Sequence, residues 1–343
     1  MAMNRAQLEA TAQAMVAEGK GILAADESTR TMNKRLEAVG VEPTDGARHS
    51  FRHLILTAEG ASEFISGVIM FDETLRQTTS DGVPFPDHLA RQGVLPGIKV
   101  DTGAKPLAGH PGETVTEGLD GLRERLAEYR ELGARFAKWR AVIKIGSGLP
   151  TRGCIEANAH ALARYAALCQ EAGIVPIVEP EVLMNGEHTV ARSEEATTSA
   201  LRAVVAELAG QRVLLEGIVL KPNMVLSGYE CPAQAGVEEV AERTLSCFRR
   251  VVPAAVPGIA FLSGGQDDDL ATAHLDAMNR IGGVPWELTF SYGRGLLAAA
   301  LKTWSGDSAR VDEAQATYLH RARCTAAARR GEYSESMETA LVA

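Results

Sequence analysis

FAKWRAVIKIGSGLPTRGCIEANAHALARYAALCQEAGIVPIVEPEVL, residues 136–183, holds the pattern that decides the fold. Its first part places Phe136, Lys138 and Arg140 on one parity and Trp139, Ala141 and Ile143 on the other. That period of two is a strand's, with successive side chains on opposite faces. EANAHALARYAALCQEAG (156–173) then carries apolar residues at helical spacing, and VPIVEPEVL (175–183) returns to a strand-like run. Strand, helix, strand implies a parallel pair joined by a right-handed crossover.

Working outward, the same signature of apolar run, polar terminus and turn recurs to a total of eight. Before it come GILAADES (21–28), FISGVIMFDE (64–73) and GIKVDTG (97–103); after it come LLEGIVLKPNM (214–224), GIAFLSGGQ (258–266) and WELTFSYGRG (286–295). Amphipathic segments lie between them, for example LDGLRERLAEYRELG (119–133), ATTSALRAVVAELAGQ (196–211) and GVEEVAERTLSCFRRVV (236–252). Eight β/α units predict an α/β protein of the (β/α)8 TIM-barrel class. An open doubly wound sheet has the same alternation, and only closure separates the two. Extra helices are expected near residues 6–18, 47–58 and 308–328. With no linker or second core in view, residues 1–343 read as a single domain whose end, residues 330–343 with Arg329 before them, reads as a loose tail.

Of the 343 residues 45% are hydrophobic and 23% charged, ample for a large core, and the formal net charge is -9. An acidic balance argues against nonspecific nucleic-acid binding, which needs clustered cations. No apolar run reaches 18 residues, and MAMNRAQLEATAQAMVAEGK is broken by charge throughout. Neither a membrane span nor a signal peptide fits, so a cytoplasmic protein is expected. Five cysteines without a C-x-x-C pair read as reduced thiols that pack, not as a disulfide framework or zinc ribbon.

Barrel chemistry sits at the carboxyl ends of the strands. The residues that close the eight runs are Asp26, Asp72, Lys99 with Asp101, Lys138 with Arg140 and Lys144, Glu179 with Glu181, Lys221 with Asn223, Ser263, and Ser291 with Arg294. Parity makes Lys138, Arg140 and Lys144 one cationic face, and groups Glu179 with Glu181 and Val219 with Lys221 and Asn223. A ring mixing lysines with carboxylates moves pKa values in both directions, as acid/base chemistry requires. After the last two strands LSGGQ (262–266) and SYGRG (291–295) offer glycine backbone and the Arg294 fork where barrels bind phosphate. Lys34 and Arg35 in TMNKRLEAVG (31–40) form a second cationic group, and two such groups on opposite sides of the mouth suit a bisphosphate.

EGIVLKPNM (216–224) ends a buried run on Lys221. An ordinary lysine, with a pKa near 10.4, is neutral in only about one molecule in a few thousand at pH 7. Burial and a neighbouring cation such as Lys138 would lower that pKa, and a neutral amine adds to a carbonyl to give a Schiff base. The iminium withdraws electrons, so a carbon–carbon bond beta to nitrogen can break without a metal.

KGILAADEST, GLDGL, FAKWR, IVPIVEPE, LKPNM, FLSGGQ and LTFSYGR, in this order over roughly residues 5–333, resemble class I fructose-1,6-bisphosphate aldolase. The resemblance implies a barrel, usually a homotetramer, that cleaves fructose 1,6-bisphosphate to dihydroxyacetone phosphate and glyceraldehyde 3-phosphate with no cofactor or metal. It implies Lys221 as the Schiff-base lysine and Glu179 as the acid/base for the C4 hydroxyl and the water of iminium formation. Lys138 would stabilise charge during carbinolamine formation, and Asp26 would orient the C4 hydroxyl and nearby lysines. Ser263, Gly264, Gly265, Ser291, Gly293 and Arg294 match one phosphate site; Ser28, Lys34, Arg35 and Lys99, with Arg140, match residues at or near the other. Thr31 stands in a stretch where the family often has serine, and the chain ends ETALVA where well-known members end in tyrosine, with Tyr333 well upstream.

Three alternatives remain open at this level. A metal-dependent lyase could use His49 and His53, the histidine pair spaced i, i+4 on an expected helix. A monophosphate-specific aldolase would keep the Schiff base, and a barrel scaffold would use only its surface.

Overall fold

The computed structural model describes residues 4–339. Eight parallel strands form the barrel: β1 (Gly21–Ala25), β2 (Ile65–Met70), β3 (Leu95–Lys99), β4 (Phe136–Ile143), β5 (Val175–Val182), β6 (Val219–Leu220), β7 (Gly258–Phe261) and β8 (Glu287–Tyr292). Neighbours in sequence are neighbours in the sheet, and β1 pairs with both β2 and β8, so the ring closes and the open-sheet alternative falls.

Strand parity sorts the apolar side chains into two layers. Inside the barrel lie Ile22, Ala24, Ile69, Phe136, Val175, Ile177, Val219 and Ala260. The opposite parity, with Leu23, Val68, Met70, Trp139, Val178, Leu220 and Phe261, packs under the helices. Phe136 is the main filler: a Cβ added at Gly97 would stand 2.2 Å from its ring and one at Gly67 2.9 Å. Two neighbouring strands therefore carry glycine so that β4 can carry an aromatic.

The amino-terminal mouth is shut by the helix Arg5–Met15, whose Asn4 side chain caps it by accepting from the Gln7 amide. Its Leu8, Ala12 and Met15 join the inner layer. Arg329, buried at the end of the long C-terminal helix (Val311–Arg329), donates to the carbonyls of Val16 at 2.6 Å and Leu288 at 2.8 Å. With one end plugged, the open mouth is the carboxyl one.

The sequence reading differs from the fold at identifiable places. Arg329 is helical and buried, not part of a tail. The chain beyond it is seated as far as Thr339: the Tyr333 amide donates to Asp276 at 2.8 Å, its hydroxyl to Glu338 at 2.8 Å, and Glu338 pairs with Arg321. Long-range polar partners hold the segment that far; residues 340–343 lie outside the described residues. An antiparallel ribbon, Gly103–Pro106 with Thr114–Glu117, follows β3 and was not anticipated, because its strands of four residues are too short to show a period.

Candidate active site at the carboxyl end of the barrel

Period two carries each inner row from apolar to charged. Asp26 lies two residues past Ala24, Lys138 two past Phe136, Glu179 two past Ile177 and Lys221 two past Val219. Register sets Lys99 beside Lys138 and Arg140 beside Glu179, and pairs Leu220 with Val178, so Lys221 follows level with Glu179 and Lys138 lies one inner step below it. β6 ends at Leu220, but the Lys221 amide still donates to the Val178 carbonyl at 2.8 Å, which fixes its side chain beside Glu179.

Four buried groups thus meet. Lys138 Nζ lies 2.5 Å from Asp26 Oδ2 and 3.5 Å from Glu179 Oε2, and Lys221 Nζ lies 3.3 Å from Glu179 Oε1. Glu179 Oε2 is buried without a hydrogen-bond donor, and so is Ser291 Oγ. The two lysines differ in their balance of forces. Burial pushes Lys138 down, but Asp26, Glu179 and Asp101 outweigh it and hold the ammonium above its ordinary range. For Lys221 burial wins: Glu179 opposes it, Lys138 reinforces it, and the amine falls below the ordinary lysine value. Burial likewise raises the Asp26 carboxyl, yet Lys138, Lys221 and Lys99 together hold it well below the usual carboxylate range. One lysine is a fixed charge and the other a latent neutral amine.

Lys221 opens into a cleft of about 380 Å³. Ser263, Gly264, Ser291, Gly293 and Arg294 line it from β7 and β8. Gly264 and Gly265 have φ of +63° and +102°, a conformation other residues rarely adopt, and a Cβ on Gly265 would stand 2.7 Å from an Arg294 guanidinium nitrogen. Gly293 precedes the helix Arg294–Trp304, and a Cβ there would stand 2.9 Å from the Ala24 carbonyl. A helix N-terminus, a glycine turn and a guanidinium converge as an anion site requires.

The second cationic group is arranged differently. Thr31, Arg35 and Arg140 line the same cleft. Ser28 caps the helix Thr29–Ala38 by accepting from the Thr31 amide, and its hydroxyl lies 3.1 Å from that of Thr31. Arg35 is paired with buried Glu27, which also holds Arg52; Arg140 is paired with Glu181; Lys99 stands 3.6 Å from Asp101. Lys34 is exposed on the same helix and does not line the cleft. The β1 and β8 groups spring from adjoining strands, not opposite ones, so the cations across the mouth are Lys99 on β3 and Arg140 on β4.

Three ring members are not in the cluster. Asp72 shares the outward parity of Val68 and Met70, starts the short helix Asp72–Leu75, and accepts from Arg76 and the Tyr129 hydroxyl. Asn223 follows Pro222, where the ladder has ended, and bonds the Val182 amide and Thr197. Lys144 is exposed beyond the end of β4. His49 Nε2 donates to the Thr78 carbonyl and His53 Nε2 accepts from the Ser80 amide, both rings near Phe85, so that pair organises a loop. Glu27 and Arg52 were missed; Glu27 is on the outward parity next to Asp26, and nothing in the spacing of Arg52 marks it.

The family model for class-I fructose-bisphosphate aldolase matches residues 7–342. A protein of Xanthomonas campestris pv. campestris named probable fructose-bisphosphate aldolase class 1 is 60% identical over 305 residues, 89% of this chain and 91% of that one. The chain belongs to the class-I fructose-bisphosphate aldolase family. Fructose-bisphosphate aldolase 6, cytosolic, of Arabidopsis thaliana is 51% identical over 95% of this chain and 91% of its own. Among solved structures, the ternary co-crystal structure of fructose-bisphosphate aldolase from Plasmodium falciparum in complex with TRAP and a small-molecule inhibitor superimposes with a TM-score of 0.94. It is 46% identical and covers 96% of this chain and 95% of that one. Class-I membership fits a mouth in which a depressed lysine faces a glutamate.

Proposed function

We propose that this chain catalyses the reversible cleavage of fructose 1,6-bisphosphate to dihydroxyacetone phosphate and glyceraldehyde 3-phosphate through a Schiff base on Lys221. The observation that carries this is the buried Lys221 amine, below its ordinary pKa and 3.3 Å from Glu179. Glu179 takes the proton that Lys221 sheds, and the neutral amine adds to the C2 carbonyl; the Lys138 ammonium stabilises the developing oxyanion, which takes a proton from the new C–N ammonium. Loss of that oxygen as water, with Glu179 donating, leaves the iminium. Glu179 then takes the C4 hydroxyl proton, positioned by Asp26, while the C3–C4 bond breaks toward the iminium. Glyceraldehyde 3-phosphate departs, and the remaining enamine is protonated and hydrolysed to return the amine.

Arg294, with Ser263, Gly264, Gly265, Ser291 and Gly293, takes one phosphate. Lys99 and Arg140, across the mouth, serve the other end, with Ser28, Thr31 and Arg35 flanking the cleft between the two and Lys34 outside it. Because Arg140 is already paired with Glu181 and Lys99 stands beside Asp101, that end offers less free charge, and fructose 1-phosphate is the informative competitor. A homotetramer and a cytoplasmic location complete the proposal, supported by the family and by a cytosolic plant relative; no helix among the described residues is long and apolar enough to cross a membrane.

Borohydride reduction with dihydroxyacetone phosphate, in excess chelator, followed by peptide mapping, tests the mechanism. A covalent adduct on Lys221 is expected; no adduct, with activity lost to the chelator, would refute it. A rate on fructose 1-phosphate equal to that on the bisphosphate would refute the second phosphate site.

A further inference from the structure

We propose that His320, Cys324 and Glu338 form a binding site for a soft divalent cation, Zn²⁺ by its donor set, that fastens the C-terminal segment to the helix Val311–Arg329. His320 and Cys324 are one turn apart on one face of Val311–Arg329, and Glu338 comes from the short helix Ser336–Thr339 that docks beside them. Their donor atoms all lie within 4.8 Å of one another. Cys324 Sγ stands 3.6 Å from His320 Nε2. Tetrahedral zinc, with Zn–N about 2.0 Å and Zn–S about 2.3 Å, sets those two atoms about 3.5 Å apart. The helix pair is therefore already at coordination distance.

The carboxylate needs a smaller adjustment than its sequence distance suggests. Glu338 Oε2 lies 3.8 Å from His320 Nε2, where zinc would draw the two to about 3.3 Å. Tyr333 holds the other oxygen, donating to Oε1 at 2.8 Å, which is the outer hydrogen bond that orients metal-bound carboxylates. Arg321 now pairs with Oε2, and the ion would replace it there. Arg321 keeps its other bonds, to the Asp268 carbonyl at 3.1 Å and Thr272 Oγ1 at 2.8 Å. Cys324 is buried while Glu338 is partly exposed, so protein closes one side and water can complete the fourth position. On binding, the thiol proton passes to solvent and the thiolate coordinates.

This site stands apart from the chemistry at Lys221 but not from the barrel mouth. Asp268, bonded by Arg321, begins the helix that follows the Ser263–Gln266 turn. A metal here would fix the segment after Arg329 beside that turn. The cation acts as a clasp and takes no part in bond cleavage.

The test uses the full chain, stripped with chelator, kept reduced and titrated with Co²⁺. One ion per chain and a thiolate-to-cobalt charge-transfer band, displaced by Zn²⁺, are expected. Cys324→Ser should lose the band, and Glu338→Gln, a change at the surface that leaves the barrel intact, should weaken binding about tenfold or more. Zn²⁺ should slow proteolysis of residues 330–339 in the parent chain and not in Glu338→Gln. No band, a band unchanged in Cys324→Ser, or equal affinity in Glu338→Gln would overturn the site; binding without protection from proteolysis would overturn the clasp.

Discussion

Glu179→Gln separates catalysis from packing, because it keeps the shape of the side chain and removes only charge and acidity. Glu179 stands 3.3 Å from Lys221 Nζ and 3.5 Å from Lys138 Nζ. At an effective dielectric of about 20, each contact is worth about 5 kcal/mol of Coulomb attraction. Part of that loss is recovered, because Lys221 is already depressed and sheds its proton more readily once the carboxylate is gone. The net loss of stability should then be about 3 kcal/mol, the low end for breaking a buried pair. The variant amine is at least as nucleophilic as the parent's, so slow turnover cannot be blamed on Lys221. What is lost is the proton carrier, typically 10²- to 10⁴-fold in rate. Steady-state cleavage of fructose 1,6-bisphosphate should show kcat down by about that factor with KM little changed, and borohydride should still label Lys221. A kcat within threefold of the parent, or a loss confined to KM, would refute the role of Glu179.

Asp26→Asn should lower stability by about 3 kcal/mol at pH 7, since Lys138 loses its nearest partner. The folded Asp26 carboxyl lies below its unfolded value, so its contribution is full above about pH 4 and is lost as pH falls further; urea melts should show the parent and variant converging in acid, and parallel curves would contradict the pairing. Gly265→Ala places a Cβ 2.7 Å from Arg294 at φ +102°, and should cost about 1–3 kcal/mol while raising KM, measurable by calorimetry and kinetics. Arg294→Ala should raise KM about 10- to 100-fold with a smaller change in kcat, from the loss of a charge-assisted hydrogen bond; a change in kcat alone would remove Arg294 from the phosphate site. Phe136→Ala should destabilise the barrel by about 3–5 kcal/mol, because Gly67 and Gly97 cannot refill the space.

The barrel was legible because each strand ends its alternation on a polar residue, and the inner parity of Phe136 and Lys138 or Ile177 and Glu179 survives folding intact. Parity failed where a strand stopped short. Asn223 belongs by count with Lys221, but Pro222 ends the ladder between them, so its amide turns to the Val182 backbone and Thr197. Asp72 failed for the opposite reason: its strand is regular, and regularity puts Asp72 on the outer face with Met70. Glu27 was illegible because its partners, Arg35 and Arg52, lie on two different helices and meet only after both have packed. Nothing local marks residues 330–339 as held, because the anchors, Asp276 and Arg321, are 57 and 17 residues from the groups they bond.

In the proposed mechanism, the choice of Lys221 over Lys138 turns on a division of carboxylates that no spacing encodes. Lys138 and Lys221 are both buried, both end inner rows and both touch Glu179. The difference is Asp26, 2.5 Å from Lys138, with Asp101 adding to the same side. Their surplus negative charge makes Lys138 permanently cationic, and a permanent cation in a buried cluster pushes a neighbouring ammonium toward its neutral form. Asp26 therefore acts on Lys221 in two opposed ways: directly it favours the charged amine, and through Lys138 it maintains the repulsion that favours the neutral one. In Asp26→Asn the direct attraction goes at once, whereas Lys138 keeps Glu179 and Asp101 and remains charged. The Lys221 amine should then titrate lower than in the parent, so borohydride labelling with dihydroxyacetone phosphate should extend to more acidic pH even as turnover falls. A shift toward alkaline pH would mean that Lys138 had lost its charge with Asp26, and that the division of roles between the two lysines is wrong.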